Sequence, residues 1–168
     1  MLAGLNEAGV RYVIVGGIAA NAHGSSRNTQ DVDICYDPTS ENRECLAAVL
    51  SGWHGYLRGV EPGLPWTLDA GAIRDAPILT LTTDLGAFDM MDRVAGVGDF
   101  QQVVEASQDV TVMGIATRVI TLDALIAAKR ATRRRKDREA LLELEALREM
   151  TRKRKKAAGK TSPDKRGH

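Results

Sequence analysis

Three aspartates carry the strongest chemical signal in this sequence. Asp31 and Asp33 lie in the run Asp31-Val-Asp-Ile-Cys-Tyr36, which alternates polar and apolar residues as a half-buried strand does. Both side chains should leave the same face of that strand. Adjacent carboxylates repel each other unless a cation binds them or one is protonated. Because Mg²⁺ prefers hard oxygen ligands, the pair predicts a metal site, although two exposed aspartates at a strand edge would show the same spacing.

A third carboxylate is expected from a neighbouring strand. The run Ala87-Phe-Asp-Met-Met91 is predicted to be a strand, and Asp89 at its centre would complete a site for two metal ions. Asp92, three residues further on, is the second choice for this position. Asp84, in the preceding turn, is a further alternative.

A glycine pair precedes the aspartates. The apolar run Arg11–Val15 is predicted to be a strand that stops at Gly16-Gly17, and the Ala-rich stretch Ile18–Ala22 is predicted to be a helix. Two glycines allow the backbone to approach phosphate oxygens closely, although a Gly-Gly pair is often only a turn. The complete order of strand, glycine pair, helix, basic turn and Asp-x-Asp strand is much rarer than either motif alone.

The remaining elements must position these residues. Ser40 is a candidate N-cap for a helix through Leu50, whereas residues 52–77 are rich in Gly and Pro and could hold one or two short strands. A strand is predicted at 78–83, a short helix at 99–106, a hairpin around Gly114 and a helix that begins after Thr121. A last helix at 137–150 has leucines spaced for a buried stripe. The order of elements predicts an α/β (α+β) domain with a helical end.

Charge divides the chain into two parts. Residues 1–128 contain seven Lys and Arg against 16 Asp and Glu, whereas residues 129–168 contain 16 basic against six acidic residues. We therefore expect a domain at 1–151, with a C-terminal helical segment at 121–151, and a disordered basic tail at 152–168. The basic end could dock a polyanion, or it could be a solvated helix face with a disordered tail.

Composition narrows the function classes. The 168 residues suffice for one domain with a hydrophobic core, and an aromatic content of 4% argues against recognition by base stacking. Cys35 and Cys45 form no metal-ligand cluster and no disulfide framework. With no signal peptide and no apolar run long enough to span a bilayer, the expected location is cytoplasmic, with no membrane partner.

The motifs together resemble a known superfamily. The run Val15-Gly-Gly-Ile-Ala-Ala20, followed by Arg27-Asn-Thr-Gln-Asp-Val-Asp-Ile34, resembles the signature of the polymerase-β-like nucleotidyltransferases. Within that superfamily the chain is similar to small bacterial proteins of the AbiEii/MenT toxin type. They share the Arg-x-Thr-x-Asp phrase and a closing phrase like Leu125-Ile-Ala-Ala-Lys129 with Arg134-Arg-Lys-Asp137. The resemblance covers most of residues 10–147 and implies a minimal nucleotidyltransferase fold, a mixed central sheet flanked by helices.

The resemblance also implies roles for the acidic residues. Asp31 and Asp33 would hold two Mg²⁺ ions, which Mn²⁺ could replace, against the triphosphate of an NTP. Asp89 would join the catalytic ion and help deprotonate the acceptor hydroxyl.

Other residues would bind the nucleotide. Gly16 and Gly17 would hold the triphosphate through the backbone, and Lys129 would reach the phosphates unless it is an ordinary surface lysine. Arg27 would contact phosphate, or brace its loop against Asp31 or Asp37. Two residues have supporting roles: Thr29 as a hydrogen-bonding loop residue, and Asp137 either orienting Lys129 or favouring the start of the last helix. His23 is expected to be structural.

The predicted function is transfer of an NMP from an NTP to a hydroxyl acceptor. RNA, and tRNA in particular, is the expected acceptor because the basic end from Arg130 to Lys156 would attract its backbone. The chain could be the toxin of a toxin–antitoxin pair, with an antitoxin protein as partner. A protein or small-molecule acceptor is an alternative within the same class. A catalytically silent nucleotide- or RNA-binding module with this fold is the alternative from a different class.

Overall fold

Strands and helices alternate irregularly along the chain. The computed structural model describes residues 1–61, 63, 65–132 and 137–159. The strands of the described residues are β1 Tyr12–Val15, β2 Asp31–Tyr36, β3 Tyr56–Leu57, β4 Ile78–Thr83, β5 Gly86–Met91, β6 Arg93–Val94, β7 Gly98–Asp99, β8 Ser107–Val112 and β9 Ile115–Ile120. The helices are α1 Leu2–Glu7, α2 Gly16–Ala22, α3 Ser40–Gly52, α4 Ala70–Asp75, α5 Phe100–Glu105, α6 Leu122–Thr132 and α7 Asp137–Gly159.

Seven strands form one mixed sheet in the order β3-β4-β5-β2-β1-β9-β8. Strand β2 is antiparallel to β1 and parallel to β5, so the sheet mixes both orientations at its centre. All four residues of β1 are buried, as expected of an apolar central strand. This architecture confirms the predicted α/β (α+β) class with a mixed central sheet and flanking helices.

The core lies behind the acidic face of the sheet. Val32 is 9% exposed, and Ile34 and Phe88 are fully buried, so the residues that alternate with the aspartates point away from them as predicted. Trp53 packs edge-on against Phe88 with ring centroids 6.3 Å apart. Strand alternation therefore places apolar side chains in the core and carboxylates on the opposite face.

The C-terminal helical segment consists of α6 and α7. Leu144 of α7 is buried, and Leu141 and Leu147 pack against the core, which confirms the predicted leucine stripe. The predicted disorder from residue 152 is wrong for residues 152–159, which continue α7 to Gly159. Lys, Arg and Ala are good helix formers, and Lys153 Nζ lies 3.7 Å from Glu149 one turn earlier. Residues 160–168 lie outside the described residues, so their disorder stays a prediction.

Some predicted strand and helix ends differ from those in the structure. Arg11 lies outside β1 because its N–H donates to Asn42 Oδ1 at 2.7 Å rather than to a strand. Ser40 is the first helical residue of α3 and not its N-cap, a position that Thr39 occupies without a side-chain bond. Residues 52–77 hold the short strand β3 and also α4, whose N-cap Asp69 accepts a bond from the N–H of Ala72 at 2.7 Å.

Cys35 and Cys45 are both free, and Cys35 is buried. Among the described residues, none of the helices has the length and apolarity needed to cross a membrane.

Candidate active site

Strand pairing brings the predicted acids together. In the parallel pair of β2 and β5, Asp33 lies directly opposite Asp89, and Asp31 lies opposite Ala87, two residues earlier. On the other side of β2, Asp33 lies opposite Val15, the last residue of β1. Because side chains two residues apart share a face, all three aspartates lie on one face of the sheet. The chain turns from β1 into α2 at the same level.

The glycine pair lies against Asp33. Gly16 has a φ of +63°, and a Cβ on it would lie 2.1 Å from Asp33 Oδ2. A Cβ on Gly17 would lie 2.3 Å from Thr29 Oγ1. The N–H of Gly17 donates to Asp33 Oδ2 at 3.4 Å. Both positions therefore require glycine because other groups occupy the space of a side chain, and Gly16 also has a left-handed backbone.

The electrostatics of Asp33 reflect its neighbours. Burial, together with the negative charges of Asp89 and Asp31, raises the pKa of Asp33 to about 6. The hydrogen bond from Gly17 and the positive charge of Lys129 act in the opposite direction. A cation bound among these carboxylates would favour their ionised forms, so the cluster is electrostatically suited to one.

The donor set suits a hard divalent ion because it consists of carboxylate oxygens on one sheet face. The three side chains differ in exposure, with the Asp31 side chain 48% and the Asp89 side chain 19% exposed. Within the part of the chain that the structure describes, however, no three acidic, His or Cys side chains are gathered as a ready-made metal-ligand set. Binding a metal ion here would therefore require small side-chain movements.

A basic residue that the sequence analysis missed contacts two of these acids. Arg58 Nη2 donates to Asp89 Oδ1 at 2.6 Å, and Arg58 Nη1 lies 3.8 Å from Asp31 Oδ2. Arg58 follows β3, in the segment whose structure the sequence left ambiguous. One signal was available, since Arg58 is the only Lys or Arg between Arg43 and Arg74 in a strongly acidic part of the chain.

Two cavities meet at the turn that follows β1. The first measures about 310 Å³, and its lining includes Gly16, Gly17, Arg27, Thr29 and Lys129. It lies between α2, the loop before β2, and the helices α6 and α7. It contains every residue predicted to bind the nucleotide.

The second cavity lies on the Asp89 side. It measures about 240 Å³ and is lined by Asp33 and Asp89 together with an apolar wall that includes Ile78, Met91 and Leu125. Gly16 and Lys129 line both cavities. Asp33 and Asp89 therefore face a second space that adjoins the cavity at the glycine pair, an arrangement that could hold two substrates side by side.

The loop before β2 is tied to α7. Arg27 Nη2 donates to Glu139 Oε2 at 3.2 Å, and Ser25 Oγ donates to Glu143 Oε1 at 2.8 Å. Arg27 therefore braces its loop through Glu139 and not through Asp31 or Asp37, the partners considered as an alternative to phosphate. Asp31 lies near Arg58 instead, and Asp37 pairs with Arg11 at 2.6 Å. Both glutamates follow Arg27 by more than 100 residues, so no local pattern could indicate them.

The supporting residues follow the sequence analysis in part. Thr29 Oγ1 donates to the carbonyl of Asp31 at 3.5 Å, which fits a hydrogen-bonding loop residue. His23 Nε2 lies 2.7 Å from the carbonyl of Ile120, so His23 joins α2 to β9. Asp137 begins α7, but its side chain lies outside the described residues, as do residues 133–136. Its predicted contact with Lys129 therefore stays a prediction.

The alternative third acids are engaged elsewhere. Asp84 Oδ2 lies 2.5 Å from His54 Nδ1 in an exposed pair. Asp92 contributes to the raised pKa of Cys35 and of Tyr36, and it is not among the charges that act on Asp33. Asp89 is therefore the better placed of the three candidates.

Comparison with protein families gives one match over nearly the whole chain. The model of a family described as "Nucleotidyl transferase of unknown function (DUF2204)" matches residues 1–162. No curated protein matches the sequence.

Solved structures share the fold at low identity. The antibiotic-resistance factor ANT(2'')-Ia in solution is 17% identical over 94% of this chain and 90% of its own, with a TM-score of 0.53. Its crystal structure in complex with adenylyl-2''-tobramycin is also 17% identical, over 91% and 93%, with a TM-score of 0.54. The lincosamide antibiotic adenylyltransferase LnuA, with lincomycin bound, is 15% identical over 85% and 90%, with a TM-score of 0.56. Similarity at this level establishes the fold.

Proposed function

This chain belongs to the nucleotidyl transferase family whose model matches residues 1–162, and we propose that it transfers an NMP from an NTP, such as ATP, to a hydroxyl acceptor. The observation that carries this proposal is the alignment of Asp33 with Asp89 on adjacent parallel strands, with Asp31 on the same face and Gly16 against Asp33. The silent binding module, by contrast, has no need of three acids on one face of the sheet.

Nucleotidyltransferases of this fold generally use divalent metal ions. We propose that Asp31, Asp33 and Asp89 would hold two Mg²⁺ ions, or Mn²⁺ ions in their place. Bound there, the ions would stabilise negative charge on the attacking and leaving oxygens of an in-line displacement. The negative charges of Asp89 and Asp31, which with burial raise the pKa of Asp33, would be offset by such ions.

The two cavities suggest where the substrates lie. The NTP would occupy the cavity lined by Gly16, Gly17, Arg27 and Lys129, with the triphosphate against the glycine backbone. The acceptor would enter from the cavity beside Asp89. Its hydroxyl oxygen would bond to the α-phosphorus as the bond to the bridging oxygen breaks and pyrophosphate leaves. Asp89, which lines that cavity, would take the hydroxyl proton.

We propose RNA, and tRNA in particular, as the acceptor. Among the described residues, four basic side chains of α7 are exposed beyond its last core contact: Arg152, Lys153, Arg154 and Lys156. A run of this kind attracts a phosphate backbone without base stacking, which suits an aromatic content of 4%. The role of a toxin with an antitoxin partner, and a cytoplasmic location, rest on the sequence resemblance and composition and are part of the same proposal.

The test is transfer of label from each of the four α-³²P NTPs in Mg²⁺ to total RNA or protein. Asp33→Asn removes a charge from the centre, and Asp109→Asn is the matched control because Asp109 pairs with Arg118 on the exposed β8–β9 hairpin. We expect labelled RNA with wild type and Asp109→Asn and none with Asp33→Asn. Label on protein instead of RNA would mean that the acceptor is a protein, and the proposed transferase activity would stand. NTP binding by calorimetry without any transfer would favour the silent module.

A further inference from the structure

Arg58 is fixed at its position by the backbone of the sheet. Its N–H donates to the carbonyl of Thr80 at 2.9 Å, which extends the pairing of β3 with β4 by one residue. Thr80 lies directly opposite Asp89 in the pair of β4 and β5. The arginine backbone is therefore two strands away from Asp89, and its side chain must reach back across β4 to meet the acids.

The guanidinium ends as a fork against the carboxylates. Nη2 donates to Asp89 Oδ1 at 2.6 Å, and Nη1 donates to Asp89 Oδ2 at 3.5 Å. Nη1 also lies 3.8 Å from Asp31 Oδ2. Two-point contact between a guanidinium and a carboxylate is stronger than a neutral hydrogen bond and also fixes the orientation of the acid. Arg58 thus uses the same oxygen atoms that a metal ion would need.

The hydrogen bonding of Arg58 is incomplete. Its Nε is buried without a hydrogen-bond partner, whereas Nη2 donates both to Asp89 and to the carbonyl of Leu81, the latter at 2.9 Å. The side chain is 33% exposed, so a route to solvent exists. A buried donor without an acceptor lowers the stability of this arrangement, and the movement of Arg58 away from Asp89 is correspondingly less costly.

We propose that Arg58 is a positioning residue that acts as the internal counterion of Asp31 and Asp89 and exchanges with a divalent ion at the active site. This inference rests on the proposed function. Arg58 keeps the acids aligned and offsets their repulsion, and a divalent ion must displace the guanidinium from Asp89 before it can take those oxygens. Because of this exchange, the affinity for a divalent ion should depend on Arg58, a residue outside the Asp-x-Asp motif.

The test measures Mn²⁺ affinity of the full chain by the EPR signal of free Mn²⁺. Arg58→Gln removes the competing charge while leaving a side chain of similar polarity, and Arg58→Lys keeps the charge but loses the fork. Arg118→Gln is the control because Arg118 also pairs with an aspartate, Asp109 at 3.0 Å, on the distant hairpin. We expect Arg58→Gln to bind Mn²⁺ tighter than wild type by on the order of tenfold, Arg58→Lys to be intermediate and Arg118→Gln to be unchanged.

Thermal unfolding supplies a second measurement. In EDTA, Arg58→Gln should melt below wild type because the acids lose their counterion, and saturating Mn²⁺ should remove most of that difference. A general structural defect would lower Tm equally with and without Mn²⁺ and would overturn the proposal. If Arg58→Gln fails to fold in EDTA, Arg58→Lys is used in its place. A Mn²⁺ affinity of Arg58→Lys that is equal to or weaker than that of wild type would then overturn the proposal.

Failure of this inference is distinguishable from failure of the proposed function. If wild type binds Mn²⁺ and Asp33→Asn does not, but Arg58→Gln binds no tighter than wild type, the counterion role alone is wrong. If neither wild type nor Arg58→Gln binds Mn²⁺, the metal-dependent function is wrong, and the exchange is wrong with it.

Discussion

The carboxylate centre and the basic end of α7 carry opposite charges and are built by different means. Asp33 lies between two strands, against Gly16, and a single added carbon at Gly16 would lie 2.1 Å from its carboxylate. Arg152 and Arg154 are exposed on one helix beyond its last core contact among the described residues. The first region depends on the position of each atom, and the second depends on total charge. Substitutions should therefore act sharply in one region and gradually in the other.

The largest effect is expected at Asp33. Asp33→Asn keeps the shape of the side chain but removes a ligand charge, so transfer should fall by about a thousandfold, which corresponds to about 4 kcal/mol of activation free energy. The measurement is the single-turnover rate with labelled NTP. Asp109→Asn should retain the wild-type rate. A fall in the transfer rate of less than about tenfold would mean that Asp33 is not a metal ligand.

Gly16 tests how rigid the centre is. Gly16→Ala should lower the free energy of unfolding by about 3 kcal/mol or more, because a left-handed residue gains a Cβ and that Cβ clashes with Asp33. Gly9 has a similar φ of +69°, but a Cβ added there would have no other atom within 4 Å, so Gly9→Ala isolates the backbone cost. We expect Gly9→Ala to cost about 1 to 2 kcal/mol by urea denaturation. Equal losses for the two variants would contradict the close packing.

The pKa of Asp33 predicts a pH dependence in EDTA. Since burial and the neighbouring acids raise it from 3.8 to about 6, the native state holds this proton more tightly than the unfolded chain. Its stabilising contribution is complete below pH 3.8 and is lost as pH rises to about 6. The loss should be on the order of 2 to 3 kcal/mol. Urea denaturation at pH 4.5 and 8 should show this loss in wild type relative to Asp33→Asn, and identical pH profiles would refute it.

The basic end should respond to charge alone. Replacing Arg152, Lys153, Arg154 and Lys156 with Gln should weaken RNA binding. The slope of log affinity against log salt concentration should become shallower by about 3. The Tm should stay within about 1 °C of wild type because these side chains do not pack against the core. Filter binding between 50 and 200 mM salt measures the slope. An unchanged slope would mean that RNA contacts another part of the protein. A large fall in Tm would show that this part of α7 stabilises the fold.

The smallest effect is expected at Arg27, which pairs with Glu139 near the start of α7. Arg27→Ala should lower the free energy of unfolding by less than about 1 kcal/mol, because the Arg27 side chain is 44% and that of Glu139 83% exposed. Denaturation in low and high salt measures it. A loss well above 1 kcal/mol would mean that this exposed ion pair, and not mainly the bond from Ser25 to Glu143, holds the loop before β2 against α7.

Much of the fold was predictable because its elements are encoded locally. Strand β2 was predicted with its correct ends, as was β4, since each alternates polar and apolar residues. The aspartates and the glycine pair were identified for the same reason, as their spacing is short. By contrast, α4 lies in a Gly- and Pro-rich segment without clear periodicity, and Arg58 belongs to the site only because β3 and β4 bring it back toward β5.

The sequence by itself determined which face of each central strand is apolar, where the glycines and the acids lie along the chain, and its likeness to nucleotidyltransferases, although not to the AbiEii/MenT type in particular. These are properties of short segments, set by periodicity and by residue type. Only the tertiary structure decided that Asp33 lies opposite Asp89, that Arg58 contacts two of the three acids, and that Arg27 reaches α7. The physical reason is that strand register and long-range ion pairs join residues 27 to more than 100 positions apart, a distance over which no local pattern carries information.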